Sequence, residues 1–85
     1  MKDTLGVYYY PNPQHPENRM YVRRFGGRIE FRMWNRDDAQ VWEKHNWLPM
    51  DVIRQAAQMF RAMGKESDPT TLYDEAVAQR LLSEE

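Results

Sequence analysis

The 85-residue chain contains no cysteine. This excludes disulfide bonds, zinc sites built from thiolates and cysteine nucleophiles, and it suits a reducing cytoplasm. No apolar run approaches the roughly 20 residues that span a bilayer, and the start, MKDTLGVYYY, lacks the basic flank and long apolar stretch of a signal peptide. We therefore predict a soluble, cytoplasmic chain with no membrane partner, folded as one small domain over residues 1–85.

Motifs for catalysis and cofactor binding are also missing. His15 and His45 are far apart in the sequence and lack the paired spacing of zinc ligands. No glycine-rich loop is present that could hold a phosphate by its backbone. We therefore predict a binding module that is not an enzyme and that carries no cofactor and no metal.

The chain is instead rich in arginine and aromatic residues between Arg19 and Arg36, with the sequence RMYVRRFGGRIEFRMWNR. Gly26 and Gly27 separate two strand-like runs and supply the positive φ angles of a tight hairpin turn. The sequence thus predicts strands over residues 19–25 and 28–35. A two-residue loop aligns Phe25 with Arg28 and fixes every pair further out.

Alternation along these strands assigns side chains to two faces of the ribbon. The apolar face, which we predict to be buried, carries Met20, Val22, Ile29, Phe31 and Met33. The opposite face, called here the arginine–aromatic face, carries Arg19, Tyr21, Arg23, Phe25, Arg28, Glu30, Arg32 and Trp34. A register shifted by one residue would expose the whole apolar set, which favours this pairing.

The remaining pattern predicts an α+β fold. A first strand over residues 5–10 ends at a proline-rich loop, residues 11–18. The ribbon is followed by helices predicted over residues 37–45, 49–63 and 69–82, before a frayed C-terminus. The first helix has Asn35 as its candidate N-cap. The second has an apolar stripe of Val52, Ile53, Ala56, Ala57, Phe60 and Met63. We expect a three-stranded antiparallel meander that the helices cover on one face.

Charge is divided unevenly along the chain. Residues 1–36 hold seven basic and three acidic side chains, a net charge of +4, whereas residues 37–85 hold five basic and ten acidic side chains, a net charge of −5. The split is consistent with a basic sheet that meets an anion and acidic helices behind it. It is equally consistent with attraction between the two halves, or with a second copy of the chain.

The basic and aromatic composition predicts a nucleic-acid site on the arginine–aromatic face. Guanidinium groups pair with phosphate in a bidentate manner, and bases stack on aromatic rings or on guanidinium planes. The candidate binding residues are Arg19, Tyr21, Arg23, Arg28, Arg32 and Trp34.

Two other interpretations remain open. The face can be an ordinary solvated surface on which Tyr21 with Arg32 and Arg19 with Trp34 form cation–π pairs, and Arg23 with Glu30 forms a salt bridge. Alternatively, the chain is a protein-interaction module, a homodimer, adaptor or inhibitor, that uses the same ribbon or the acidic helices. The exposure of the arginine–aromatic face distinguishes these interpretations.

Overall fold

The computed structural model describes residues 1–64 and 72–84, which form an antiparallel sheet with helices on both faces. The strands are β1 (Lys2–Asp3), β2 (Gly6–Tyr9), β3 (Asn18–Phe25), β4 (Arg28–Asn35) and β5 (Leu48–Pro49). The helices are α1 (Ala39–His45), α2 (Met50–Ala62) and α3 (Glu75–Ser83). The strand order in the sheet follows the order in the sequence, from β1 to β5. None of the helices in the described ranges is long and apolar enough to cross a membrane.

The central hairpin of β3 and β4 has the predicted register. Phe25 pairs with Arg28, and each predicted pair outward to Arg19 with Trp34 is present. Gly26 and Gly27 form the turn with φ angles of 59° and 76°. Positive φ at both central residues is what a type I′ hairpin turn requires, which is why a glycine pair located the turn from sequence alone.

The α+β class and the antiparallel sheet are confirmed, but the prediction of three strands was wrong. The sheet gains β1 and β5, each of only two residues, one at each edge. β1 forms because the Asp3 carboxylate accepts a hydrogen bond from the Leu5 backbone N–H, 2.8 Å away, and folds the N-terminus back onto β2. Strands this short leave no alternation in the sequence, so periodicity could not reveal them.

The main hydrophobic core lies between the apolar face of the hairpin and helices α2 and α3. Its buried members are Val7, Met20, Val22, Ile29, Phe31, Met50, Ile53 and Ala78. Ala57 and Ala78 have no exposed surface, and their small side chains let the helices pack close to the sheet. All five residues of the predicted apolar face therefore pack in this core, with Met33 partly buried at its margin.

Helix α1 packs on the opposite face of the sheet, so the prediction that the helices cover one face only was wrong. The Trp42 ring of α1 lies edge-on to the Tyr21 ring, with 5.4 Å between the ring centroids. The helix begins later than predicted because Asp38, not Asn35, is its N-cap and accepts a hydrogen bond from the Gln40 N–H. The helix packs on this side because the Trp42 side chain needs an apolar surface, which the Tyr21 ring of the arginine–aromatic face provides.

The final helix also begins later than predicted. Asp74 caps α3 by accepting a hydrogen bond from the Val77 N–H at 3.1 Å, and the Tyr73 ring just before it packs on Phe31. Residues 69–71 of the predicted helix lie outside the described residues. At the end predicted to fray, Ser83 is the last residue of α3, and Glu85 lies outside the described residues.

The loop predicted over residues 11–18 is present between β2 and β3, ending one residue earlier because Asn18 begins β3. Asn12 organises it: its side-chain oxygen accepts a hydrogen bond from the Gln14 N–H, and its carbonyl accepts one from the His15 N–H. Such turns keep the prolines out of the sheet, where they could not donate to the strand ladder.

Candidate partner-binding site

The arginine–aromatic face is largely covered, not open to solvent. Helix α1 and Trp47 lie across it, and rings of Tyr21, Trp42 and Trp47 form a continuous edge-to-face series with centroid separations of 5.4 and 5.9 Å. Tyr21 has no exposed surface, and Glu30 is 8% exposed. The face therefore forms a second, polar-rimmed core instead of the open binding surface that the sequence suggested.

Tyr21 belongs to a hydrogen-bond network that includes Asp3, near the N-terminus. Its hydroxyl donates to Asp3 Oδ2 at 2.5 Å, and Arg19 donates to the same oxygen at 3.0 Å. Burial raises the pKa of Tyr21 to about 12, and the hydrogen bond to Asp3 adds to this effect. Burial also pushes the pKa of Asp3 upward, but hydrogen bonds from Tyr21 and from backbone N–H groups, with the charge of Arg19, outweigh it and lower that pKa.

Arg19 is held between two aromatic rings. Its guanidinium carbon lies 4.5 Å from the centroid of the Trp34 ring and 4.6 Å from that of the Tyr8 ring. The first contact is the cross-strand cation–π pair expected from the register. Arg19 and Trp34 are both half-buried, so each has only part of its surface free for a partner.

Arg32 binds the end of α1. Its Nε and a terminal nitrogen both donate to the Trp42 carbonyl oxygen, at 2.9 and 2.7 Å, and its guanidinium carbon lies 4.0 Å from the centroid of the Trp42 ring. The last carbonyls of a helix lack partners within it, and a cation there is favoured by the helix dipole. The expected stacking of Arg32 on Tyr21 is thus replaced by stacking on Trp42.

Arg23 forms the salt bridge expected with Glu30, with 2.7 Å between Arg23 Nε and Glu30 Oε1. Its guanidinium also lies over the rings of Trp47 and Phe25, at 4.3 and 4.6 Å from their centroids. The side chain keeps 38% of its surface exposed. Arg23 thus joins the covered part of the face to its exposed end.

That exposed end is the hairpin tip, residues 23–28. Pairing of β3 with β2 stops at Val22, and pairing of β4 with β5 starts at Glu30, so the tip extends past both neighbouring strands. Phe25 is 61% exposed, and the Arg28 side chain is 62% exposed. Arg24 is exposed as well.

The six candidate residues therefore separate into three pairs. Tyr21 and Arg32 are engaged within the protein, Arg19 and Trp34 are partly covered, and Arg23 and Arg28 lie at the hairpin tip. The sequence-based set omitted Arg24 and Phe25. Alternation places Arg24 opposite Ile29 on the apolar side of the ribbon. The hairpin arms are longer than the predicted first strand. This difference in length could have indicated that the tip, with Arg24, extends past the rest of the sheet.

Histidine and carboxylate side chains do not converge into a metal site anywhere in residues 1–64 and 72–84. His15 Nδ1 lies 3.0 Å from Glu17 Oε1, and His45 Nε2 lies 2.8 Å from the Tyr73 hydroxyl. Each histidine thus has a partner within the protein.

Comparisons with known proteins add no family assignment. No protein-family model matches the chain, and neither the curated proteins nor the solved structures contain a match to it.

Proposed function

We propose that the protein binds nucleic acid through the hairpin tip. The observation that carries this proposal is Phe25, a 61% exposed ring that follows Arg24 and pairs with Arg28 across the turn, at the end of an arm that extends past the rest of the sheet. An exposed phenylalanine at a tight turn contributes nothing to the core, whereas bases stack on such rings. Neighbouring arginines supply the phosphate contacts that accompany stacking.

Two arginines of the tip, Arg24 and Arg28, are free to exchange partners. Arg24 has no carboxylate partner among the described residues. Arg28 has Asp51 at 3.7 Å, but both side chains are more than half exposed, and exposed ion pairs contribute little to stability. A phosphate can therefore replace water or a weak ion pair at little cost.

This interface is narrower than the one predicted from the sequence. Arg23 and Arg28 are retained, Arg24 and Phe25 are added, and Arg19 with Trp34 can contact only the margin of a bound strand. Tyr21 and Arg32 are engaged with Asp3 and Trp42 and are not part of this interface. A variant of Arg32 would release the Trp42 carbonyl and report on folding, so it cannot serve as a test of binding.

We expect the double variant Arg24→Gln, Arg28→Gln to bind labelled oligonucleotides at least about tenfold more weakly than the wild type, because two phosphate contacts are lost. Fluorescence anisotropy with single- and double-stranded oligonucleotides measures this. The dependence of log Kd on log salt concentration should fall by about two in the variant, one for each phosphate contact.

Arg36→Gln is the matched control, since Arg36 is an exposed arginine beyond the other end of β4 and pairs with Asp37. The control should bind as the wild type does. Phe25→Ala should weaken binding to single strands without changing the salt dependence, because stacking involves no phosphate. Absence of wild-type binding at low salt, or an equal loss in Arg36→Gln, would contradict the proposal.

A second candidate function, self-association, is favoured by an exposed apolar stripe on α2. Val52, Met59 and Met63 are 43%, 64% and 59% exposed, although two of them, Val52 and Met63, were predicted to face the core. With Ala56 they follow spacings of four, three and four residues, the seam of paired helices. The residues of α2 that are buried in the core are Met50, Ile53 and Ala57, which lie on the adjacent face of the helix.

A second copy of this chain is the partner that fits the stripe. On the side of the stripe that faces away from the core, the neighbouring positions are Gln55 and Ala62, and both are uncharged. An antiparallel pair of identical helices therefore brings no like charges together, and a two-fold arrangement uses the same surface on both copies.

Light scattering after size-exclusion chromatography should give wild-type protein twice the monomer mass and Met59→Glu the monomer mass, because the glutamate would be buried at the seam. Gln58→Glu adds the same charge on the same helix, away from the stripe, and should remain dimeric. A wild-type protein that stays monomeric at the highest attainable concentration would contradict self-association.

A further inference from the structure

A cleft of about 440 Å³ lies behind the hairpin tip, between the tip, the start of α2 and α3. Its volume is within the range of pockets that hold small ligands. The buried side chains of Ile29 and Met50 line it, so one side of a bound group would be shielded from water.

Arginines from three separate elements line this cleft: Arg24 from β3, Arg28 from β4 and Arg54 from α2. Among the residues that the structure describes, two carboxylates accompany them. Asp51 lies 3.7 Å from Arg28, and Glu75 is hydrogen-bonded to Arg54. The cleft therefore carries one more positive than negative charge, and Arg24 has no carboxylate partner among the described residues.

We infer that the cleft binds the phosphate group of a phosphomonoester. A doubly charged, tetrahedral phosphate accepts hydrogen bonds in several directions, which matches guanidinium groups that approach from different elements. The first residues of α2 line the same cleft, and Pro49 at its N-cap provides no side-chain acceptor, so the positive end of the helix dipole adds to the attraction.

Asp51 and Glu75 have opposite effects on such a ligand. Both hold an arginine in position, but each also competes with the phosphate for that arginine and repels its charge. Removing the charge of either carboxylate should therefore tighten binding, whereas removing an arginine should weaken it. Opposed signs from neighbouring residues are not expected if the cluster only stabilises the fold.

The cleft shares Arg24 and Arg28 with the hairpin tip, but the two sites differ in their other residues. Arg54 lines the cleft but is not part of the tip, and Phe25 belongs to the tip but does not line the cleft. The two sites can thus be tested with separate variants. A terminal phosphate of nucleic acid and the phosphate of a small ester share the same chemistry, so both are included as probes.

The experiment is a titration of isotope-labelled full-length protein with inorganic phosphate, adenosine monophosphate and, as the phosphate-free control, adenosine, followed by NMR shifts of backbone amides and arginine Nε groups. Both phosphates should shift the resonances of Arg24, Arg28 and Arg54, and adenosine should not. Arg54→Gln should weaken phosphate binding about fivefold, and Glu75→Gln should tighten it about threefold.

A 5′-phosphorylated oligonucleotide compared with its 5′-hydroxyl form identifies the source of the phosphate. Tighter binding of the phosphorylated form that Arg54→Gln abolishes assigns the cleft to nucleic-acid ends, and equal binding of the two forms assigns it to small esters. Phe25→Ala should leave inorganic phosphate binding unchanged. The inference is overturned if phosphate does not shift the three arginines, or if Glu75→Gln does not tighten binding.

Discussion

Replacing Trp42 by alanine is expected to lower the free energy of unfolding by about 3 kcal/mol, near the lower end of the range for aromatic residues truncated in cores because Trp42 is half-buried. Its ring contacts the Arg32 guanidinium and lies edge-on to the rings of Tyr21 and Trp47. The alanine variant would expose the buried Tyr21 and leave Arg32 without its π surface. For a domain of 85 residues, a loss of this size is a large fraction of the whole stability.

Urea unfolding followed by circular dichroism measures this change. Glu43→Ala is the matched control, because Glu43 is an exposed neighbour on the same short helix, and its effect should stay within about 0.5 kcal/mol. If Trp42→Ala is no more destabilising than the control, α1 does not cover the sheet. The arginine–aromatic face would then be open, and the interface predicted from the sequence would regain all six residues.

The covering of this face is the feature that sequence patterns could not reveal. Alternation assigned its side chains correctly, because the side of the ribbon on which a residue lies depends only on the turn and the register. Whether that side is exposed depends on what packs against it. Arginine is usually counted as a surface residue, yet its planar guanidinium stacks on tryptophan while its stem remains apolar. Arg32 with Trp42 and Arg23 with Trp47 are packed in this way.

Contacts between residues that are distant in sequence account for the remaining differences between the predicted and the observed fold. Asp3 bonds Tyr21, 18 residues away, and this contact accompanies a strand too short to be recognised. The apolar stripe of α2 was identified by its helical period, but the period does not say which half of a wide stripe meets the sheet. Met50 and Ile53 are buried, whereas Val52 and Met63 face outward.

The candidate binding site, like the fold, could be predicted from the sequence only in part. The turn at Gly26 and Gly27 placed Arg23 and Arg28 at the end of a ribbon, where Arg28 is exposed and Arg23 is partly exposed. Arg24 could not be assigned from alternation, because the apolar side of the ribbon extends past the core at that position. Its guanidinium joins those of Arg28 and Arg54 only because α2 packs beneath the tip.

Raising the pH from about 10 to about 12 is expected to lower the free energy of unfolding by on the order of 2 kcal/mol through Tyr21, and by less through the half-buried Tyr9. Burial raises the pKa of each tyrosine from 10.0 to about 12. For Tyr9, a hydrogen bond from the Asp74 N–H opposes this rise without cancelling it.

The direction of this change follows from the pH range over which the folded and the unfolded chain each keep the tyrosine hydroxyl protons. Below pH 10 both folded and unfolded chains keep these hydroxyl protons, so the full stability is present. Between about pH 10 and 12 the unfolded chain releases them while the folded chain does not, so the unfolded state is favoured as the pH rises. Above the folded-state pKa both states are deprotonated, and the loss from these two groups is complete.

Urea unfolding at a series of pH values tests this with the variants Tyr21→Phe and Tyr9→Phe. Tyr21→Phe removes the hydroxyl donor to Asp3, so it should be less stable at neutral pH by about 1 kcal/mol, yet its stability should fall less steeply above pH 10. Tyr9→Phe should show the same flattening with a smaller amplitude, because its hydroxyl links β2 to the Leu72 carbonyl near the partly exposed start of α3. Deprotonation of lysines is common to all three proteins and cancels in the comparison. A slope in Tyr21→Phe equal to that of the wild type would mean that the Tyr21 hydroxyl reaches solvent, and the closed arginine–aromatic face inferred from its burial would have to open.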